Sequence, residues 1–175
     1  MAGRGLSPDQ LTAWEVVRLL QLEPLDQEGG YFRRTGESAT VLPGGKRAWS
    51  MIYSLLTPEG FSALHRLATD EIWCFHAGDP LEALRLRADG SGEWVKLGLH
   101  LAAGERPQDV VPAQEWQGTR LAADGRWALV TCVVAPEFVW GDFELGSREA
   151  LSAAYPAFAE GIRALTRAQP PTGTK

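Results

Sequence analysis

Read for hydrophobic periodicity, the chain changes habit twice. Near the N-terminus Leu11, Trp14, Val17 and Leu20 recur at helical spacing. They follow Ser7-Pro8-Asp9-Gln10, where Ser7 is placed to cap a helix, Pro8 to open its first turn and Gln10 to answer the cap. The helix should stop before Pro24, because the residue preceding proline avoids the helical region. Gly29-Gly30 marks a bend, and residues 31–35 alternate aromatic and basic side chains as a strand does. From Trp49 to Val134 the period shortens: 49–56, 61–67, 71–76, 81–87, 92–97, 109–111 and 127–134 are short apolar or alternating runs. Turn residues separate them, and the Asp-Gly pairs at 89–90 and 124–125 predict hairpins. Strands this close leave no room for intervening helices, so a sandwich or barrel is expected and a doubly wound parallel sheet is not. Ser147 caps a last helical stretch through Arg167, which Tyr155-Pro156 should kink or split. One domain over residues 7–168 is expected, between a short tail at 1–6 and a disordered polar tail at 169–175.

Composition supports this picture. Nineteen glycines, 11 prolines and seven tryptophans in 175 residues suit a turn-rich, β-dominated domain. Seventeen basic against 22 acidic residues give a net charge of −5, which argues against a nucleic-acid or anionic-membrane partner. Two cysteines, Cys74 and Cys132, each inside an apolar run, exclude a disulfide framework and read as inert core thiols. No apolar stretch reaches the roughly 18–20 residues of a membrane helix, and the first residues lack the core of a signal peptide. A reduced, cytoplasmic location is the expectation.

Candidate chemistry centres on histidine. His100, between Leu99 and Leu101, has nothing nearby to activate it. His65 has Glu71 six residues on, across a predicted turn at 68–70. If 61–67 and 71–77 pair antiparallel, a register exists that brings imidazole and carboxylate together. Such a pair can set a histidine tautomer for proton transfer, share a metal, or be a buried hydrogen-bonded pair. Alternation puts Trp73 and Phe75 on the face of Glu71, and Cys74 and His76 on the other. Ala63, His65 and Leu67 share a face, and Leu67 occupies the place where a second nitrogen ligand would be wanted. Trp116 and Gln117 offer an apolar wall and an orienting amide, or else an edge turn with a surface tryptophan. Asp142 and Glu144, two apart, either share one face or sit on a solvated strand or loop, and the pairs Arg33-Arg34 and Lys46-Arg47 are either solvent-exposed or able to meet an anionic substrate. Nucleotide-binding and nucleophile-elbow motifs are missing, so no cofactor is expected.

His65, Leu67, Glu71 and Gly78 fall on the spacing of the first cupin motif, with leucine replacing its second histidine. Pro112, Gln114, Gln117 and Leu121 fall on the second, with glutamine replacing its histidine. Blocks such as Glu28-Gly29-Gly30-Tyr31-Phe32-Arg33, Phe61-Ser62-Ala63-Leu64-His65-Arg66-Leu67, Ala77-Gly78-Asp79-Pro80-Leu81-Glu82 and Asp142-Phe143-Glu144-Leu145-Gly146 resemble more closely a family of small cupins catalogued as a domain of unknown function. The resemblance implies a double-stranded β-helix, or jelly-roll barrel, with an N-terminal helix, C-terminal helices, a pocket in its mouth and a homodimeric state. Two of four metal-ligand positions lack a histidine, which disfavours a metal, though Gln117 could act as a weak oxygen ligand. Distant similarity to the metal-free dTDP-4-dehydrorhamnose 3,5-epimerases suggests an isomerase or epimerase with His65 as general base, oriented by Glu71. The small carbohydrate-like or carbonyl-containing substrate would meet Trp73, Phe75, Trp116, Gln117, Thr119, Tyr53 and Arg33. A non-catalytic ligand binder or sensor is the alternative, and a metal-dependent oxygenase the third.

Overall fold

The computed structural model describes residues 10–167; the expected cap Ser7 and the expected tails at 1–6 and 169–175 lie outside them. The first helix, α1 (Ala13–Leu20), starts later than Ser7-Pro8 suggested. Thr12 caps it in a reciprocal capping box with Glu15, and Gln21 ends it in the left-handed conformation at φ 53°. Its buried residue is Val16, whereas Trp14, expected to face the core, is 68% exposed and packs edge-on against Tyr31 at 5.6 Å. The reason is geometric: steps of three residues fall about 60° short of a full helical turn, so an every-third-residue row winds off the buried stripe.

Strands follow in the order β1 (Glu23–Pro24), β2 (Tyr31–Glu37), β3 (Ser50–Leu56), β4 (Phe61–Leu67), β5 (Asp70–Gly78) and β6 (Leu81–Leu86). Then come β7 (Gly92–Leu97), β8 (Gln108–Val111), β9 (Trp116–Leu121), β10 (Ala128–Ala135) and β11 (Phe143–Leu145). They form a six-stranded sheet ordered β1-β2-β3-β10-β5-β8 and a five-stranded sheet ordered β11-β4-β9-β6-β7, with antiparallel ladders throughout. The two sheets face one another as the jelly roll the sequence led us to expect.

Between the sheets Trp73, Phe75, Val111 and Val130 meet Leu81, Leu97 and Leu121 in one apolar cluster. Outside the six-stranded sheet, α1 and Leu22 cover Leu55 and Trp127, whose indole donates to the Leu11 carbonyl at 2.9 Å. Outside the five-stranded sheet, α2 (Arg148–Ala154) and α3 (Ala159–Ala164) lay Leu151, Tyr155, Ile162 and Leu165 over Leu64, Leu84 and Leu86. Ser147 caps α2 as expected, and Pro156 opens the short 3₁₀ turn that divides the two helices. Among the described residues no helix is long and apolar enough to cross a membrane.

Two local expectations fail for one reason. The Asp-Gly pair at 89–90 does make a hairpin, joining β6 to β7, but that at 124–125 joins β9 to β10, which lie in different sheets. Likewise β4 and β5 are not paired: β4 lies between β11 and β9, and β5 between β10 and β8. A turn signal says where the chain bends, not which strand becomes its neighbour. In this winding the chain crosses between sheets at residues 68–69, so the inner faces of β4 and β5 oppose each other across the barrel.

Candidate functional site

The site lies where the end of β4 faces the start of β5. Between β4 and β9, Ser62 is opposite Thr119 and His65 opposite Gln117, three steps against two, so β4 carries a bulge. The bulge breaks the expected alternation. Ala63 lines a cleft outside the barrel rather than sharing the inward face, while Ser62 donates its hydroxyl proton to Glu28 Oε1. Glu28 reaches β4 from the bend before β2. Gly29 and Gly30 take φ of 118° and 76°, and a Cβ on Gly29 would lie 2.1 Å from the Phe61 carbonyl oxygen. Only glycine allows that approach, which lets the Ala63 amide donate to the Glu28 carbonyl at 2.9 Å.

His65 is 1% exposed. Its Nδ1 lies 2.7 Å from the Ala63 carbonyl oxygen, which can only accept, so Nδ1 carries a proton. Nε2 faces Glu71 Oε2 at 3.8 Å, and the ring stacks on Phe143 with centroids 5.1 Å apart. The expected pair therefore meets, but across the barrel rather than along a hairpin. Behind it runs a fixed chain of partners. Gln117 Nε2 donates to Glu71 Oε2 at 2.5 Å, and Gln117 Oε1 accepts from Trp73 Nε1 at 3.0 Å and Arg85 Nη1 at 3.2 Å. Arg85 in turn pairs with Asp109 at 2.8 Å. These donors settle which way the Gln117 amide points.

Electrostatics sets the protonation of His65. Burial alone would depress its pKa, but the charges of Glu28 and Glu71, with hydrogen bonds to Glu71 and the Ala63 carbonyl, lift it to about 9. At neutral pH the ring is an imidazolium, already loaded with a proton. A ring that holds its proton up to about pH 9 can donate from Nε2 below that pH and act as the expected general base only once deprotonated. Burial pushes the Glu28 carboxyl up, helped by the negative charge of Glu71 and opposed by His65, Ser62 and Arg167. The Cys132 thiol, buried beside Glu71 and Glu28, is pushed well above its ordinary value and stays protonated.

These groups line one end of a cavity of about 180 Å³, whose walls include Leu25, Phe32, Ile52, Val134, Phe138 and Trp140. Of the expected site residues, His65 and Glu71 line it. Trp73, Gln117 and Thr119 are buried behind or beyond them, and Phe75 belongs to the apolar cluster between the sheets. Trp116 faces the other side, against the C-terminal helices, with the Arg66 guanidinium 4.7 Å from its ring. Tyr53 and Arg33 are likewise outside: Tyr53 packs beneath α1, and Arg33 lies over its ring at 5.9 Å. One residue decides this, since Phe32 and Arg34 line the cavity and Tyr31 and Arg33 do not. Asp142 and Glu144 pair with Lys46 and Arg66 respectively. His76 contacts Thr131 on the outer face, and His100 is exposed.

Glu28, Arg85, Asp109 and Phe143 carried no site role in the sequence, and of the pair Arg33-Arg34 it is Arg34 that lines the cavity. Arg85 carried a signal: a charge at the same strand parity as Leu81 and Ala83, which are fully buried. Glu28 carried another, immediately before two glycines.

The donors present do not fit a metal. Leu67 has no donor to give, and the Gln117 oxygen is already taken by Trp73 and by cationic Arg85. Among the described residues no three His, Cys, Asp or Glu side chains cluster as a metal site needs.

Comparison with known proteins agrees with the fold. A family model described as cupin superfamily (DUF985) matches residues 14–146. A crystal structure of a Shewanella oneidensis protein is 39% identical, covering 91% of this chain and 100% of that one, with a TM-score of 0.85. A hypothetical protein from Leishmania major is 33% identical over 89% of this chain and 99% of its own, with a TM-score of 0.82. A cupin 2 conserved barrel domain protein from Rhodopseudomonas palustris, 16% identical with a TM-score of 0.55 over 80% of this chain and 81% of that, shares the fold. A search of curated proteins finds no match. Matched across most of its length and carrying the same two-sheet barrel, the chain belongs to the DUF985 family of the cupin superfamily.

Proposed function

We propose that the barrel mouth binds a small carbonyl compound and moves a proton on it without a metal, as an isomerase does. The observation that carries this is the buried His65 ring facing Glu71, with Glu28 beside it, at the polar end of a largely apolar cavity, where the two carboxylates raise its pKa to about 9. His65 donates through Nε2 to the carbonyl oxygen and stabilises the oxyanion that forms there. Glu28, an ionised carboxylate whose proton affinity burial pushes up, takes the proton from the adjacent carbon and returns it to the former carbonyl carbon, while His65 regains its proton from the neighbouring hydroxyl. The substrate is an isomer of the product, so no oxidant is consumed. Glu71, held by Gln117, keeps the imidazole charged and oriented. Walls such as Phe32, Phe138 and Trp140 suit an apolar body better than a sugar, whose hydroxyls would find few partners there. Arg34 reaches the same cavity from its rim and favours a substrate with a negative end.

The second reading is a non-catalytic binder. It is favoured by the Glu71 carboxylate, which is already engaged by both His65 and Gln117. Incubating the protein in deuterated water with a panel of small keto acids and hydroxyketones separates the two. The isomerase reading expects deuterium at the carbon next to the carbonyl, with His65→Gln slowing exchange by about 10²–10⁴-fold. Ligand-dependent thermal stabilisation with no exchange would support the binder instead.

A further inference from the structure

Outside the barrel, β4, β11, α2 and α3 enclose a cleft of about 480 Å³. We propose that this cleft binds a phosphate-bearing small molecule through Arg148, Arg163 and Arg167. All three side chains line it, and none makes an ion pair with a carboxylate among the described residues. That sets them apart from Arg34, Arg47, Arg66, Arg85, Arg87 and Arg120, each of which has an acidic partner. In a chain of net charge −5, three guanidiniums with no carboxylate within ion-pair distance share one concavity, although Arg167 also acts on Glu28 at longer range.

Two of them are held in place by neutral groups. Arg148 donates from Nε to Thr166 Oγ1 at 2.9 Å and from Nη2 to the carbonyls of Arg163 and Thr166. Arg167 donates from both Nη atoms to the carbonyls of Gln27 and Glu28, at 3.1 Å each, and lies over the Phe61 ring. Those bonds fix the forks without cancelling their charge. Arg163 is exposed and makes no side-chain hydrogen bond or ion pair among the described residues, which leaves its donors free. Ser147 and Ser152 add hydroxyls, and Glu149 is the single acidic residue lining the cleft. Guanidinium forks match phosphate oxygens two at a time, and the cleft is within the size range of small-molecule sites. Its wall includes Ala63, so the cleft backs onto the bulge that carries His65 without opening into the inner cavity.

Calorimetric titration of the full chain with inorganic pyrophosphate at low ionic strength tests this. Saturable one-to-one binding is expected, weakening as salt is added. Arg163→Gln should weaken it by about tenfold or more, and that exposed, unpartnered side chain can be replaced without disturbing the fold. His65→Gln should leave the affinity unchanged, because the barrel interior is not the site. Absence of saturable binding up to millimolar pyrophosphate, or equal affinity in Arg163→Gln and the parent chain, would overturn the proposal. The isomerase reading stands or falls separately, on deuterium exchange.

Discussion

The two ends of the barrel interior are buried alike and built on opposite terms. At one end Leu81, Leu97, Val111, Leu121 and Val130 pack with Trp73 and Phe75, none more than 8% exposed. At the other His65, Glu71 and Gln117 are equally hidden but ionic or polar, and each is tied to a named partner. The apolar end gains free energy from every side chain it removes from water. The polar end does not: desolvating charges costs several kcal/mol, and pairing them returns only part of it. A chain under pressure only to fold would fill both ends with leucine. The ionic end, facing a cavity, is where burial works against stability, which is what makes it the candidate functional site.

Cutting the support beneath the ionic end should have the largest effect. Arg85→Met leaves Asp109 with only the more distant Arg106 at 3.7 Å and the Gln117 oxygen with only Trp73, and should cost about 3–5 kcal/mol in denaturant unfolding. Adding Asp109→Leu should recover much of that loss. A double variant no better than the single one would mean that Arg85 matters for packing rather than charge.

At the apolar end, Leu97→Ala should cost roughly 2–5 kcal/mol through lost contacts and the cavity left behind. Deuterium exchange per folded molecule should stay at the parent rate. A matching fall in exchange would show that the two ends are mechanically one.

The next effect is a pH dependence confined to the ionic end. The His65 pKa is raised from 6.5 to about 9, so folding favours its charged form. That stabilisation is fully present below pH 6.5 and is lost as pH rises through 9; by linkage it is of the order of 3 kcal/mol. Unfolding free energy measured across this range should decline, and His65→Gln should flatten the curve. An unchanged slope in that variant would place the titration elsewhere.

The smallest effect concerns Thr119, between the two ends. Its hydroxyl is buried without a partner. Thr119→Val should be neutral or stabilising by up to about 1 kcal/mol and should not alter ligand-dependent thermal shifts. A loss of ligand response would return Thr119 to the binding site.

Much of the fold could be read in advance because it rests on local chemistry. Short alternating runs bounded by Gly, Pro and Asp located β4 and β7 to the residue and β6 to within one, and Ser147 and Pro156 placed the C-terminal helices. The site was half legible. Strand alternation correctly put Glu71, Trp73 and Phe75 on one face and Cys74 and His76 on the other. It failed at Ala63, where a bulge shifts the parity, and at Arg33, where the neighbouring Arg34 is the one that lines the cavity. Nothing in the sequence marks Phe143, which stacks on His65 while the carboxylates either side of it pair with Lys46 and Arg66.

What the sequence determined by itself is the set of elements and the chemical inventory: strands, caps, and one histidine and one glutamate at matching spacing. Those follow from interactions within a few residues, which any stretch of chain carries with it. Only the tertiary structure decided that β4 and β5 oppose each other across a barrel, that Glu28 arrives from a distant bend, and that Arg85 and Asp109 lie behind Gln117. The protonation of His65 followed from that assembly, because a pKa depends on which charges end up beside a group and on how much water they leave it.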